Sequence, residues 1–153
     1  MTLKRLKDGK KKKKEIKPKL NNCLKHHDLK EELENGTDLT VGMIPEARFC
    51  GGCEVSRQNI TFNPNIPTEE CFISPMKGKA EGIVYSSKPL SYQGQLIENF
   101  WMRFEGGKAV EVGAEKGEEL LKQMISMDEG AAMLGECAFV PYDSPIRETG
   151  IMF

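Results

Sequence analysis

The chain has 153 residues, of which 39% are hydrophobic and 29% charged, a composition typical of a globular domain with one ordinary core. No stretch approaches the roughly 20 apolar residues of a membrane-spanning helix, and no apolar segment follows the lysine-rich N-terminus, which argues against a membrane partner and a secretory signal. We therefore expect a cytoplasmic protein. The five cysteines are expected to be free thiols, because disulfide frameworks are typical of secreted proteins.

Charge is distributed unevenly along the chain. The first 20 residues contain ten Lys or Arg and two acidic residues, which leaves twelve basic and 21 acidic residues for the remainder. Residues 1–22 have almost no apolar content and are expected to form a disordered basic tail. Such a tail could attract an acidic partner such as RNA, but no aromatic residue lies among the lysines to stack on bases. A nucleic-acid partner is therefore not favoured.

Two weak local patterns follow the tail. Residues 23–35 permit a weak helix that stops at Gly36, and residues 37–42 alternate as a strand does. His26 and His27 are neighbours in the first segment, so on a helix their side chains point in different directions. They are not expected to hold one metal together.

A Cys-Gly-Gly-Cys motif at Cys50 and Cys53 follows residues 48–49, where a returning strand is expected to start. Zinc sites usually need a second pair of ligands at similar spacing, and the chain has none. A CxxC redox centre opens a helix, yet residues 54–63 show no helical periodicity. The motif is therefore interpreted as a turn with two incidental thiols.

A loop restrained by prolines at residues 63–72, with the sequence NPNIPTEECF, contains the adjacent acids Glu69 and Glu70. The prolines fix an extended approach, and neighbouring side chains on extended backbone point in opposite directions. One carboxylate can therefore face inward while the other faces solvent. Spacing alone agrees equally with an ordinary acidic turn.

The middle of the chain is expected to form an antiparallel meander. Strands are predicted at residues 79–86 and 98–104, and a Glu-Gly-Gly turn at residues 105–107 leads into a partner strand at residues 109–112. Residues 89–98 are interpreted as a connecting loop.

Residues 114–141 combine local structure, apolar surface and a usable carboxylate. The first part has the spacing of an amphipathic helix, with the apolar residues Leu120, Leu121, Met124 and Ile125. Asp128 can cap a second short helix that ends at Gly135. An apolar run at residues 137–140 predicts a buried strand, and Glu136 lies at its start. Glu136 is either a partly exposed strand-end residue or a metal ligand or general base on a rigid element.

These elements together predict an α+β fold, with a mixed and mainly antiparallel sheet and one or two packed helices. A helical conformation over residues 100–112 would contradict this architecture. The residues expected to be buried are Phe100, Phe104, Val110, Leu121, Ile125 and Phe139.

Five blocks of sequence can be read together, in this order: NPNIPTEE, IVYSSKPLSYQGQLIENF, AEKGEELLKQM, DEGAAMLGE and VPYDSPIRETGI. They resemble the aminopeptidase T (thermophilic aminopeptidase) family of dinuclear metalloaminopeptidases. The resemblance runs almost without interruption over residues 37–153. It implies that these residues form a partial metalloaminopeptidase domain, the central fragment of a larger aminopeptidase domain.

The resemblance implies a cytosolic enzyme that removes N-terminal residues from peptides, uses two divalent metals, either zinc or cobalt, and forms homodimers. The family motif P-T-E-E contains a metal-ligand Glu, which corresponds to Glu70. The motif G-E before an apolar strand contains another, which corresponds to Glu136. Glu136 is also the expected catalytic residue, since it is placed to bridge the metals or assist the attacking water. A two-metal cluster lowers the pKa of water and clamps the scissile carbonyl.

The family's other ligands, two His and an Asp, and its active-site Tyr are expected to follow Phe153, and its N-terminal domain is expected to precede this chain. We therefore expect the chain alone to hold an incomplete metal site and to lack appreciable aminopeptidase activity. The alternative function is a non-catalytic remnant or interaction module whose basic tail binds an acidic partner.

Overall fold

The computed structural model describes residues 28–51, 53–62, 70–140 and 144, with the backbone alone for residues 28–32. The predicted tail at residues 1–22, the two histidines and Glu69 lie outside the described residues. The described residues form two compact units. The sheet unit comprises residues 28–45 and 75–135, and the ladder unit comprises the described residues among 46–74 and 136–144.

Eleven strands and one helix are described. In chain order the strands are β1 (Asp28–Glu32), β2 (Asp38–Met43), β3 (Glu54–Val55), β4 (Thr61–Phe62), β5 (Cys71–Ile73), β6 (Pro75–Tyr85), β7 (Leu90–Tyr92), β8 (Gln95–Ile97), β9 (Trp101–Glu105), β10 (Lys108–Gly113) and β11 (Cys137–Phe139). The helix, α1 (Glu118–Ile125), lies between β10 and β11 in the chain. The predicted α+β class with a mainly antiparallel sheet is therefore confirmed.

A five-stranded sheet in the order β1-β2-β6-β9-β10 forms the centre of the sheet unit. Every neighbouring pair in it is antiparallel. The strands predicted at residues 37–42 and 79–86 correspond to β2 and to the longer β6, and the predicted hairpin with its Gly-Gly turn corresponds to β9 and β10. The buried side chains of the sheet are Leu39, Val41, Met43, Pro75, Ala80, Phe104, Ala109 and Val112.

Helix α1 confirms the amphipathic helix predicted after Ala114. It begins after Gly117, contacts β10 and β8, and buries Leu121 completely. On its outer face Lys122 pairs with Glu118 one turn earlier, with 2.6 Å between Nζ and Oε1, and this hydrogen bond holds the pKa of Glu118 below its usual value. No described helix has the length and apolar character that a membrane span requires.

The weak helix predicted over residues 23–35 is wrong for the described part of that segment. Residues 28–32 form β1, which pairs with β2 along its whole length, from Asp28 opposite Gly42 to Glu32 opposite Asp38. Ladder hydrogen bonds to a neighbouring strand outweigh the modest helix propensity of this sequence, as tertiary context commonly does.

The second short helix predicted after Asp128 is also wrong, although its cap is present. The Oδ1 atom of Asp128 accepts hydrogen bonds from the N–H groups of Gly130 at 2.7 Å and Ala131 at 2.9 Å. The carbonyl of Ala132 then accepts from the N–H of Ala109 in β10 at 2.8 Å. Because the segment's backbone bonds to the edge of the sheet, it turns once and does not continue as a helix.

The connecting loop predicted at residues 89–98 contains a hairpin. β7 and β8 pair with Leu90 opposite Ile97, and the turn between them has positive φ angles of 49° at Gln93 and 75° at Gly94. These angles are typical of a two-residue hairpin turn, for which Asn-Gly is the usual sequence. Gln93-Gly94 is a weaker indication of such a turn, so the hairpin was not predicted.

A β-bulge between Ala109 and Glu111 changes which residues of β10 are buried. The extra residue breaks the alternation, so that Val110 is 48% exposed while Ala109 and Val112 are buried. The prediction that Val110 is buried is therefore wrong. Burial is confirmed for Phe104 and Leu121, whereas Phe100, Ile125 and Phe139 are half-buried.

Candidate functional site

The two glutamates singled out from the sequence flank one short ladder in the ladder unit. β5 and β11 pair antiparallel, with Cys137 opposite Ile73 and Phe139 opposite Cys71. Glu70 immediately precedes β5 and is half-buried, whereas Glu136 immediately precedes β11 and is exposed. Because the strands run in opposite directions, the two glutamates lie at opposite ends of the ladder.

Both glutamates belong to the same face of this ladder. Side chains alternate along a strand, and directly opposed residues share a face. Continued by one residue at each end, the register puts Glu70 on the face of Phe72 and Glu136 on the face of Ala138. Those two residues are themselves opposite each other. The two glutamates therefore lie on one face of the ladder, at its opposite ends.

The two glutamates are well separated along this face. Four residue positions along the ladder, together with the spacing between strands, put their Cα atoms about 14 Å apart. Each offers carboxylate oxygens, which divalent metals accept as ligands.

The opposite face of the ladder is packed into the core of the unit. Cys71 and Ile73 are 1% and 3% exposed, and the ring of Phe139 meets the buried ring of Phe49 edge-on at 5.6 Å between centroids. This packing holds the ladder in place through the face that lies opposite the two glutamates. The strand predicted at residues 137–140 is confirmed as β11, but it is half-buried to exposed and not buried as predicted.

Cys50 pairs with β5 on the side away from β11. Cys50 forms a single β-bridge with Phe72, and residues 48–49 lie outside any described strand, so the predicted returning strand is reduced to this bridge. Cys50 and Cys53 are exposed free thiols, as the sequence analysis expected. Among the described residues, no cluster of three or more His, Cys, Asp or Glu side chains is arranged to hold a metal.

We predict that replacing both Cys50 and Cys53 by Ser leaves the zinc content of the purified chain unchanged. The two thiols have no second pair of ligands at zinc-site spacing. Elemental analysis after dialysis against zinc measures the content directly. The loss of one equivalent of zinc from the double variant would overturn the interpretation of the motif as a turn.

Sequence reasoning missed a glycine that lies close to the Glu70 backbone. Gly51 has a φ angle of 133°, and a Cβ atom added to it would lie 2.5 Å from the carbonyl oxygen of Glu70. The Cys-Gly-Gly-Cys motif drew attention to its thiols. Gly51, the first of the two glycines between the thiols, was the residue that could have indicated this contact, since glycine permits such a close approach of two backbones.

Comparison with known proteins agrees with the predicted resemblance. Residues 3–153 match the thermophilic metalloprotease (M29) family. Aminopeptidase T of Thermus aquaticus is 53% identical over 118 residues, and aminopeptidase AmpS of Bacillus subtilis (strain 168) is 48% identical over 118 residues. Each of these matches covers 77% of this chain and 29% of the relative.

The structural comparison points the same way. The structure of wild-type AmpT from Thermus thermophilus superposes with a TM-score of 0.84 and 40% sequence identity, covering 99% of this chain and 38% of that one. The chain thus spans about 29% of the length of the curated relatives that it matches. Since the family match extends over nearly all of its residues, this chain belongs to the thermophilic metalloprotease (M29) family.

Proposed function

We propose that this chain is part of a metal-dependent aminopeptidase, a hydrolase that removes N-terminal residues from peptides. The observation that carries the proposal is the placement of Glu70 and Glu136 at the two ends of one face of the β5–β11 ladder. The relatives named aminopeptidase support the choice of substrate class.

In this proposal Glu70 and Glu136 are metal ligands and Glu136 is also the catalytic residue. Carboxylate oxygens are suitable ligands for divalent zinc or cobalt. When bound, two such ions would lower the pKa of water and polarise the scissile carbonyl. Glu136 is the more exposed of the pair, so its carboxylate is accessible to water and can accept a proton from it. The half-buried Glu70 is better suited to a fixed ligand role.

The two carboxylates do not form a complete site. Each zinc ion typically needs about four ligands. Additional donors, which the family resemblance implies to be two His and an Asp, would have to complete the coordination. We propose that the complete enzyme acts in the cytoplasm as a homodimer, as the resemblance implies.

A chimera tests the proposed function. The matched 118-residue segment of aminopeptidase T from Thermus aquaticus is replaced by the corresponding segment of this chain, which is 53% identical. We expect the chimera to release leucine from a leucyl peptide in the presence of zinc or cobalt, and we expect the 153-residue chain alone to release none. Quantifying free leucine by chromatography measures both.

Two results would contradict the proposal in different ways. A folded, metal-loaded chimera that releases no leucine would show that this segment does not support the chemistry. Hydrolysis by the 153-residue chain itself, lost in Glu70→Gln or Glu136→Gln, would show that the remaining ligands come from within the chain.

A further inference from the structure

The backbone around Gly51 lies directly against the residue proposed as a metal ligand. A Cβ atom on Gly51 would lie 2.5 Å from the Glu70 carbonyl oxygen and 3.3 Å from the Cα atom of Cys71, where the first distance is shorter than real Cβ contacts allow. The atom that it would meet is backbone and cannot swing aside as a side chain can. Any side chain at Gly51 must therefore force the backbone at Gly51 and the backbone at Glu70 apart.

The residues on either side of this contact hold the two segments in register. The N–H of Cys50 donates to the carbonyl of Phe72 at 2.7 Å, and the N–H of Phe72 donates to the carbonyl of Cys50 at 3.0 Å. One residue earlier, Phe49 is 1% exposed and its ring packs on Phe139 of β11. Phe49 thus anchors the segment in the core, Cys50 bonds it to β5, and Gly51 packs against the backbone of Glu70.

We propose that Gly51 is a positioning residue for Glu70: its lack of a side chain lets this segment fix the backbone from which the metal-binding carboxylate starts. The inference rests on the proposed function, because it requires Glu70 to be a ligand. It assigns a role to the Cys-Gly-Gly-Cys motif that depends on a glycine and does not involve the thiols. A ligand that shifts by about 1 Å no longer meets the geometry that a metal site requires.

The test is a titration of the chimera with Co²⁺, followed by the visible absorbance of the bound ion, because the 153-residue chain alone is expected to hold an incomplete site. The variants are Gly51→Ala, Glu70→Gln and the double variant. Gly94→Ala is the matched control, since Gly94 has a positive φ of 75° but no atom within 4 Å of its added Cβ. It adds a side chain at a positive φ without the contact.

We expect Gly51→Ala and Glu70→Gln each to weaken Co²⁺ binding by about tenfold or more, the range found when residues that support metal ligands are replaced. The double variant should bind no more weakly than Glu70→Gln, because Gly51 acts through that carboxylate. Gly94→Ala should bind as the unsubstituted chimera does.

The outcomes separate the inference from the function on which it rests. A chimera without Co²⁺ binding, or Glu70→Gln without effect, contradicts the ligand role and hence the proposed function. If Glu70→Gln weakens binding while Gly51→Ala behaves like Gly94→Ala, or if the two losses simply add, the positioning role is wrong.

A second measurement covers the case in which Gly51→Ala does not fold. Ligand binding stabilises the structural elements that hold the ligand-binding residue. In the unsubstituted chimera, saturating Co²⁺ should therefore slow hydrogen exchange at the N–H groups of Cys50 and Phe72 at least about threefold. Unchanged exchange at both groups would overturn the inference without any variant.

Discussion

Replacing Glu136 by Gln in the chimera should lower kcat for leucine release by about 1000-fold or more. The substitution keeps the size of the side chain but removes its charge and its ability to accept a proton. General-base catalysis alone contributes about 10²–10⁴ to a rate, and the loss of a metal ligand adds to that cost. Steady-state kinetics with a leucyl peptide, at matched metal occupancy, measures the effect.

Metal analysis of the same variant separates the two roles proposed for Glu136. If the variant keeps its metal and loses kcat, the carboxylate acts chiefly on the attacking water; if it loses metal in proportion to activity, it acts chiefly as a ligand. Glu129→Gln is the control, because Glu129 is an exposed carboxylate seven positions earlier in the chain. A Glu136→Gln chimera that retains more than a tenth of the activity would contradict both roles.

Local patterns were sufficient to predict the elements of this chain that form with near neighbours. The amphipathic spacing around Leu121 predicted α1, and two glycines after Glu105 predicted the turn between β9 and β10. Local patterns failed where pairing between strands decided the structure. β1 is a strand because β2 bonds to it, and the bulge that exposes Val110 arises from the pairing of β10 with β9.

The candidate site shows the same division. Glu70 and Glu136 could be singled out by the prolines before one, the apolar strand after the other and the family resemblance. Their common face could not be predicted, because it depends on a register between strands more than 60 residues apart, and a one-residue slip would move either carboxylate to the other face. The contact of Gly51 is equally non-local, since a glycine does not indicate which backbone approaches it.

Replacing Leu121 by Ala should lower the free energy of unfolding of the chain by about 2–5 kcal/mol. Leu121 is completely buried in α1, which contacts β10 and β8. Truncation removes apolar surface from the core and leaves a cavity that the sheet can close only in part. Urea unfolding can be followed through the fluorescence of Trp101, the single tryptophan, which lies in β9 of the same unit.

Leu120→Ala is the matched control for this prediction, since it makes the same chemical change one position earlier in the same helix. Leu120 is only half-buried, so its truncation removes less buried surface and lets water fill the space that is left. We expect it to cost about half as much as Leu121→Ala, or less. An equal or larger loss for Leu120→Ala would mean that α1 presents a different face to the sheet from the one that buries Leu121.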